Sequence, residues 1–320
     1  MKKTLAIGCF FALGGFASQA QQLPGYTQYP SQFFLINPAY TGTKTNIDFR
    51  LNYRKQWSGF TDAPETKTTA LHSRFLKGKL GAGGMVSTDE TGPTKRFTYG
   101  FMAAYHLRFP DVELSAGIGI NFISYTFDAT RVTIHNSHDP AIDRALSEKE
   151  KMKNMTGGVL LYNDRFHFGL GVLNIADSKV EFYLSDTLKK ATVKYKQHYY
   201  FNVGYNFNYH PDFIWENNLM VNYVVGAPMT IDYNLRVHIR EKFLVGPVWR
   251  LKDAVALQAG MVFLKKFQVI YSYDLTISKL RKYNSGSHEI TLGYKQDFNG
   301  NGKNGYRNYE DFQRQKFNLF

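Results

Sequence analysis

The chain of 320 residues contains one cysteine, Cys9, and none after it. Beyond that position it has no means of forming a disulfide, a thiolate metal site or a cysteine nucleophile. Long apolar runs are missing too. After Gln21 no segment approaches the roughly 20 apolar residues that a membrane-spanning helix needs. Helical periodicity is scarce, and nothing resembles a nucleophile-elbow motif. Ser272, Ser287 and His288 are present, but alternating strands offer such residues without any catalytic meaning. A helical membrane protein, a disulfide-stapled fold and a thiol enzyme are thereby excluded.

The first twenty residues read as an export signal. Lys2 and Lys3 give a positive end, Leu5–Leu13 is apolar, and Ser18-Gln19-Ala20 places small residues at a cleavage site. Gly8, Gly14 and Gly15 interrupt the apolar stretch, which is too short to span a membrane. Gly8-Cys9 fits a lipoprotein signal poorly, because Ala6 stands where a larger aliphatic residue is usual. Cleavage is expected after Ala20, leaving a mature chain from Gln21 without cysteine. Loss of Lys2 and Lys3 lowers the formal charge from +13 to +11. The remaining charges are scattered rather than gathered in one patch or helix, which argues against a nucleic-acid partner. A polar lumen, anionic lipopolysaccharide or acidic partners account for them better.

What the chain has instead is alternation. In 229–240, Met229, Ile231, Tyr233, Leu235, Val237 and Ile239 oppose Thr230, Asp232, Asn234, Arg236, His238 and Arg240. In 266–277, Phe267, Val269, Tyr271, Tyr273, Leu275 and Ile277 oppose Lys266, Gln268, Ser272, Asp274 and Thr276, with Ile270 the exception. Segments 96–109, 112–122 and 197–209 behave alike. Period two means strands. These runs reach ten to thirteen residues, longer than ordinary soluble strands and suited to a tilted membrane crossing. Their apolar faces begin and end with aromatics, as at headgroup level. The high counts of Tyr (22), Phe (26) and Gly (27) lean the same way.

Fourteen strands are predicted, near 46–57, 65–76, 79–90, 95–109, 111–127, 155–163, 165–175, 197–209, 212–224, 228–240, 242–251, 254–264, 266–277 and 287–298. Pro247 predicts a bulge or edge-like kink. Short links alternate with longer ones at 58–64, 128–154, 176–196 and 278–286. That is the pattern of outer-membrane barrels, with short periplasmic turns and long outer loops. A sheet crossing lipid must have no edge, so it must close. The expected fold is all-β: a closed, up-and-down antiparallel transmembrane barrel at 45–298. A signal peptide at 1–20 and a periplasmic arm at 21–44 precede it, and a periplasmic tail at 299–320 follows.

Three constellations were weighed for chemistry. His135, His138, Asp139 and Asp143 share a loop but match no standard metal spacing, and Glu148-Lys149-Glu150-Lys151 beside them reads as solvated loop. Gly81-Ala82-Gly83-Gly84 reads as room for crowded side chains rather than a phosphate loop. Asn37-Pro38-Ala39-Tyr40-Thr41-Gly42 reads as a turn leading the arm into strand one, with Gly42 permitting a positive φ. No catalytic residue, cofactor or metal is expected.

Gln28-Tyr29, Leu35 to Gly42 (LINPAYTG), Tyr53-Arg54-Lys55-Gln56-Trp57 and Ala63-Pro64-Glu65-Thr66 together resemble the PorP/SprF family of type IX secretion outer-membrane proteins of Bacteroidota. Gly81 to Gly84 with Asp89 and Gly92, and Leu114 to Ile118, fit as well. The resemblance spans most of the mature chain and is densest over 22–127. It implies a non-enzymatic barrel of the secretion or gliding machinery that binds a secreted adhesin or other type IX substrate, periplasmic components, or both. Partner contact is expected of Asn37, Pro38, Tyr40, Gly42, Arg54, Gln56 and Trp57, and of Tyr306 and Phe320 in the tail. The chain ends Lys316-Phe317-Asn318-Leu319-Phe320 where many relatives end in an Arg-Tyr-Phe-like tail. The rival reading is a porin-like diffusion channel using Arg236, Asp232, Asn234 and Lys266 in a polar lumen.

Overall fold

The computed structural model describes residues 25–43, 47–131, 147–176, 179–185 and 188–296. The predicted signal peptide, the His135–Asp143 cluster, and the tail with Tyr306 and Phe320 lie outside them. The strands are β1 (Ile47–Lys55), β2 (Glu65–Phe75), β3 (Leu80–Thr91), β4 (Thr94–Arg108), β5 (Glu113–Asp128), β6 (Ser147–Tyr162), β7 (Phe166–Leu173), β8 (Lys179–Ser185), β9 (Leu188–Lys194), β10 (His198–His210), β11 (Phe213–Val224), β12 (Thr230–Ile239), β13 (Phe243–Arg250), β14 (Ala254–Phe263), β15 (Phe267–Thr276) and β16 (Ser287–Gln296). Fourteen of them, all except β8 and β9, form one closed antiparallel barrel, sealed where β1 pairs with β16 from Ile47↔Gln296 to Lys55↔His288.

The alternation lies the opposite way round from a soluble protein. On β1, Asp48, Arg50, Asn52 and Arg54 are buried, while Leu51 is exposed. On β14, Ala256 and Gln258 are buried and Leu257 is 62% exposed. Large apolar side chains clothe the outside from Phe101 and Ile118 round to Leu275 and Leu292. A surface so apolar is stable only against lipid. Polar groups turn inward because the lumen is where they find partners. No helix among the described residues is long and apolar enough to cross a membrane; the strands do the crossing.

Tight turns at 76–79, 109–112, 163–165, 211–212, 240–242 and 264–266 sit at one end with Ile47 and Gln296. Two of them place consecutive residues at positive φ, Arg240 with Glu241 and Leu264 with Lys265. This left-handed pair suits the twist of two-residue hairpins. The other end carries the longer links, including 56–64, 174–197 and 277–286.

Three local readings need correction. β6 begins at Ser147, not near 155, and pairs with β5 up to Asp128↔Ser147. Its Lys/Glu run carries charge on both faces and so shows no apolar period, yet β5 supplies a full ladder. The 174–197 link holds a small two-stranded sheet, β8–β9, beside β6. At Pro247 no bulge forms. The β12–β13 ladder simply skips Leu235 and Arg236 and resumes in the same register, because proline has no N–H to give.

Candidate functional site: a plugged lumen

Residues 25–43 precede the first strand and lie inside the barrel. Three short turns shape them: 3-10 helices at Tyr29–Ser31 and Pro38–Tyr40 and a single α-turn, Phe33–Ile36. Asn37 caps the last of these, its side-chain oxygen accepting from the N–H of Ala39 at 2.9 Å. The segment bonds to strands on every side, and only a chain inside the ring can do that. The sequence reading of 21–44 as an arm outside the barrel is therefore corrected for these residues. The reason is solubility: Tyr26, Tyr29, Phe33, Phe34, Leu35, Ile36 and Tyr40 are all buried, and the lumen is where they are covered.

Its upper end, toward the long loops, is latched by charge. Thr27 donates its N–H to Glu289 Oε2 at 2.7 Å and its hydroxyl to Asp274 Oδ2 at 2.6 Å. Arg54 bridges both acids, 2.8 Å from each, and also donates to Thr27 Oγ1 at 2.7 Å. Arg250 lies 3.1 Å from Asp232 and 3.7 Å from Asp274, extending the network to β12 and β13. Asn234 donates to the Thr27 carbonyl at 3.0 Å. These charges are buried together with their opposites, the condition under which buried charge is tolerated.

Midway down, the Tyr29 hydroxyl donates to the Asn218 carbonyl at 2.8 Å, and Arg236 donates to Ser31 Oγ at 3.0 Å. Gln28 Nε2 donates to the Glu289 carbonyl at 3.1 Å. Phe33 stacks on Tyr40 at 4.7 Å, with His167 edge-on to Phe33 at 5.0 Å. Wall residues Ala70, Met102, Leu160, Tyr200 and Met220 complete a dry core around the plug.

The lower part lies flat on the wall, and glycines make that possible. A Cβ on Gly81 would sit 2.0 Å from the Thr41 carbonyl oxygen, and one on Gly117 would sit 2.4 Å from Ala39 N. At Gly158 it would meet Asn37 Oδ1 at 2.1 Å, and at Gly171 the Ile36 carbonyl at 2.6 Å. Asn37 Nδ2 donates to the carbonyls of Val159 and Leu170 at 3.2 and 3.1 Å. Ser115 donates to the Ala39 carbonyl at 2.8 Å, and His106 Nε2 lies 2.9 Å from the Thr41 carbonyl. Asn202 bonds the Tyr40 hydroxyl. Gly42, at φ +77°, gives its N–H to His72 Nδ1 at 3.1 Å. The expected positive φ at Gly42 holds. The room at Gly81 serves the plug backbone, whereas that at Gly83 serves the His72 side chain.

Below the plug, at the short-turn end, a cavity of about 370 Å³ remains, lined by Phe33, Tyr40, Tyr162, His167, Glu216 and His238 among others. The upper mouth is covered by the 174–197 link. Asn174 is bonded to Asn154 and to the Lys196 carbonyl, and Tyr195 packs on Ile123 and Met152.

The family follows from the sequence over this whole architecture. The model of the type IX secretion system membrane protein PorP/SprF matches residues 18–294, plug and barrel alike. The chain belongs to this family. No curated protein matches it. Among solved structures, the Ralstonia pickettii toluene transporter TbuX is similar at a TM-score of 0.50 and 10% identity, over 83% of this chain and 93% of that one. The CymD monoaromatic hydrocarbon channel gives 0.50 and 11%, again over 83% and 93%. At these identities the likeness is one of barrel fold.

In this PorP/SprF barrel the residues expected to meet partners divide. Asn37, Pro38, Tyr40, Gly42 and Arg54 come together, but inside, buried between plug and wall. They are plug-locking residues, and their surfaces face the barrel itself. Gln56 and Trp57 are half-buried in the 56–64 loop at the long-loop end, with Trp57 N–H on Ser287 Oγ at 3.0 Å. Of the rival pore residues, Arg236, Asp232 and Asn234 do face the lumen but bond to the plug or its latch. Lys266 is exposed in a turn and does not line the lumen. Sequence reasoning missed Thr27, Ser115, Asn202, Asp274 and Glu289. Only the dense, non-alternating aromatic stretch from Tyr26 to Tyr40 could have pointed to a segment needing cover.

Proposed function

We propose that this protein is a non-enzymatic outer-membrane scaffold of type IX secretion. In this role it holds a secreted adhesin or other type IX substrate at the long-loop end and meets periplasmic machinery at the short-turn end. The long loops then face outward and the ends of the barrel chain face the periplasm, as the alternation of link lengths supports. The observation that carries the reading is the plug. A lumen crossed by a chain latched at Arg54 and laid on four glycines suits a rigid anchor better than a diffusion route. Partner contact falls to exposed or half-exposed loop residues, Gln56 and Trp57 among them.

Co-purification from native membranes, with mass spectrometry of what accompanies the barrel, tests this directly. A secretion component or a large secreted surface protein is expected. Recovery of neither would end the anchoring proposal, and large steady currents from the purified wild-type protein in planar bilayers would favour the channel instead.

A further inference from the structure

The β4–β5–β6 sector rises above the rest of the barrel at the long-loop end. β7 pairs with β6 only from Thr156 downward, so residues 147–155 pair with β5 alone. On this raised part the parity of the strand sorts charge cleanly. Met152 and Asn154 are buried inward, whereas Lys149, Lys151 and Lys153 are exposed on the outer face. Register places them level with known landmarks on that face. Lys153 pairs with Phe122, which pairs with Tyr99; Lys151 pairs with Ser124, which pairs with Phe97. Tyr99 and Phe122 stack at 5.0 Å, and the Lys153 ammonium lies 5.7 Å above the Phe122 ring. Below this row the outer face is apolar, through Ile120, Ile118, Met155 and Val159.

The aromatic row therefore marks the edge of the hydrocarbon, and the three lysines stand immediately above it, roughly 7 Å apart along the strand. That is headgroup depth. Acids on the same face do little to neutralise them. Glu90 is paired with Lys95 at 2.6 Å, and Asp128 Oδ1 accepts from Thr130. We propose that Lys149, Lys151 and Lys153 form a binding site for the phosphorylated headgroup of a membrane lipid, its acyl chains lying against Phe122, Ile120 and Met155. The ammonium groups meet phosphate oxygens by charge-assisted hydrogen bonds, and the aromatic row fixes the depth at which they do so.

The test is lipid retention by the full mature protein in neutral detergent, read by native mass spectrometry after addition of lipid A, phosphatidylglycerol or inorganic phosphate. Wild type is expected to retain a phosphorylated lipid. The triple variant Lys149→Gln, Lys151→Gln, Lys153→Gln should weaken retention by about a hundredfold. Replacement of the same three by arginine, which keeps the charge, should restore it, and a control at Lys242 and Lys265 in the opposite turns should change nothing. Preference for lipid A over phosphatidylglycerol would identify a lipopolysaccharide site, and equal binding a general anionic-lipid site; either supports the proposal. Undiminished retention by the glutamine variant, equal loss in the control, or inorganic phosphate binding as tightly as lipid would overturn it.

Discussion

Ser115 donates its hydroxyl to the carbonyl of Ala39 at 2.8 Å, joining β5 to the plug across 76 residues of sequence. Two positions along β5, Gly117 leaves the space in which Pro38 and Ala39 lie. The two stretches of sequence that stand out, Asn37 to Gly42 and Leu114 to Ile118, are thus halves of one contact.

A side chain at Gly117 should dislodge the plug. In Gly117→Leu the first carbon already falls 2.4 Å from plug backbone, which cannot yield as a flexible side chain would. The variant is expected to fold, since the barrel ladder is untouched, and to conduct in planar bilayers where wild type carries little current. A variant as silent as wild type would show that the plug tolerates displacement here without opening the lumen.

The latch at the upper end rests on Arg54. Arg54→Ala leaves Asp274 and Glu289 with diminished compensation in a buried site, at a cost of about 3–5 kcal/mol. Arg54→Lys keeps the charge but loses the forked geometry that reaches both acids, so it should fall between the two. Denaturant unfolding in detergent micelles measures the order: wild type, lysine, alanine.

Accessibility of the plug can be read without background, since Cys9 is the only native cysteine and precedes the expected cleavage site. A cysteine at Ala39, which has no exposure, should resist a polar maleimide in the folded protein and react after denaturation. A cysteine at Lys151 should react in both states.

The lipid-facing surface predicts a depth dependence. Leu257→Arg, on an outward position well inside the barrel wall, should destabilise by about 2–4 kcal/mol in bilayers, and Leu264→Arg, in a tight turn, by about 0–1 kcal/mol. Both leucines are exposed, and in a soluble protein neither change would matter much. Equal effects at the two sites would contradict a membrane face at Leu257.

The barrel was legible because every crossing strand repeats one rule, apolar toward lipid and polar toward the lumen, and breaks in that rule are few. Ile270, the one apolar residue on the wrong face of its segment, is fully buried inside the barrel. Legibility failed where that rule does not apply. Upper β6 stands clear of the hydrocarbon, so Lys149 to Lys153 carry no apolar period and looked like loop. The plug has no periodicity, because its surroundings differ on all sides. Asn37 to Gly42 stood out as a special turn, but nothing in a linear pattern says which side of a wall it lies on. Asp274 and Glu289 looked like ordinary lumen residues until Thr27 was found between them.

The segment from Tyr26 to Thr43 runs directly before β1, and it bonds both to Arg54 on that strand and to Glu289 on the last one. A cylinder cannot be threaded after it is zipped. Folding must therefore gather the N-terminal stretch first and wrap the growing sheet about it, so that the β1–β16 seam closes over cargo already in place. The barrel's earliest residues then act as the former on which its final joint is made.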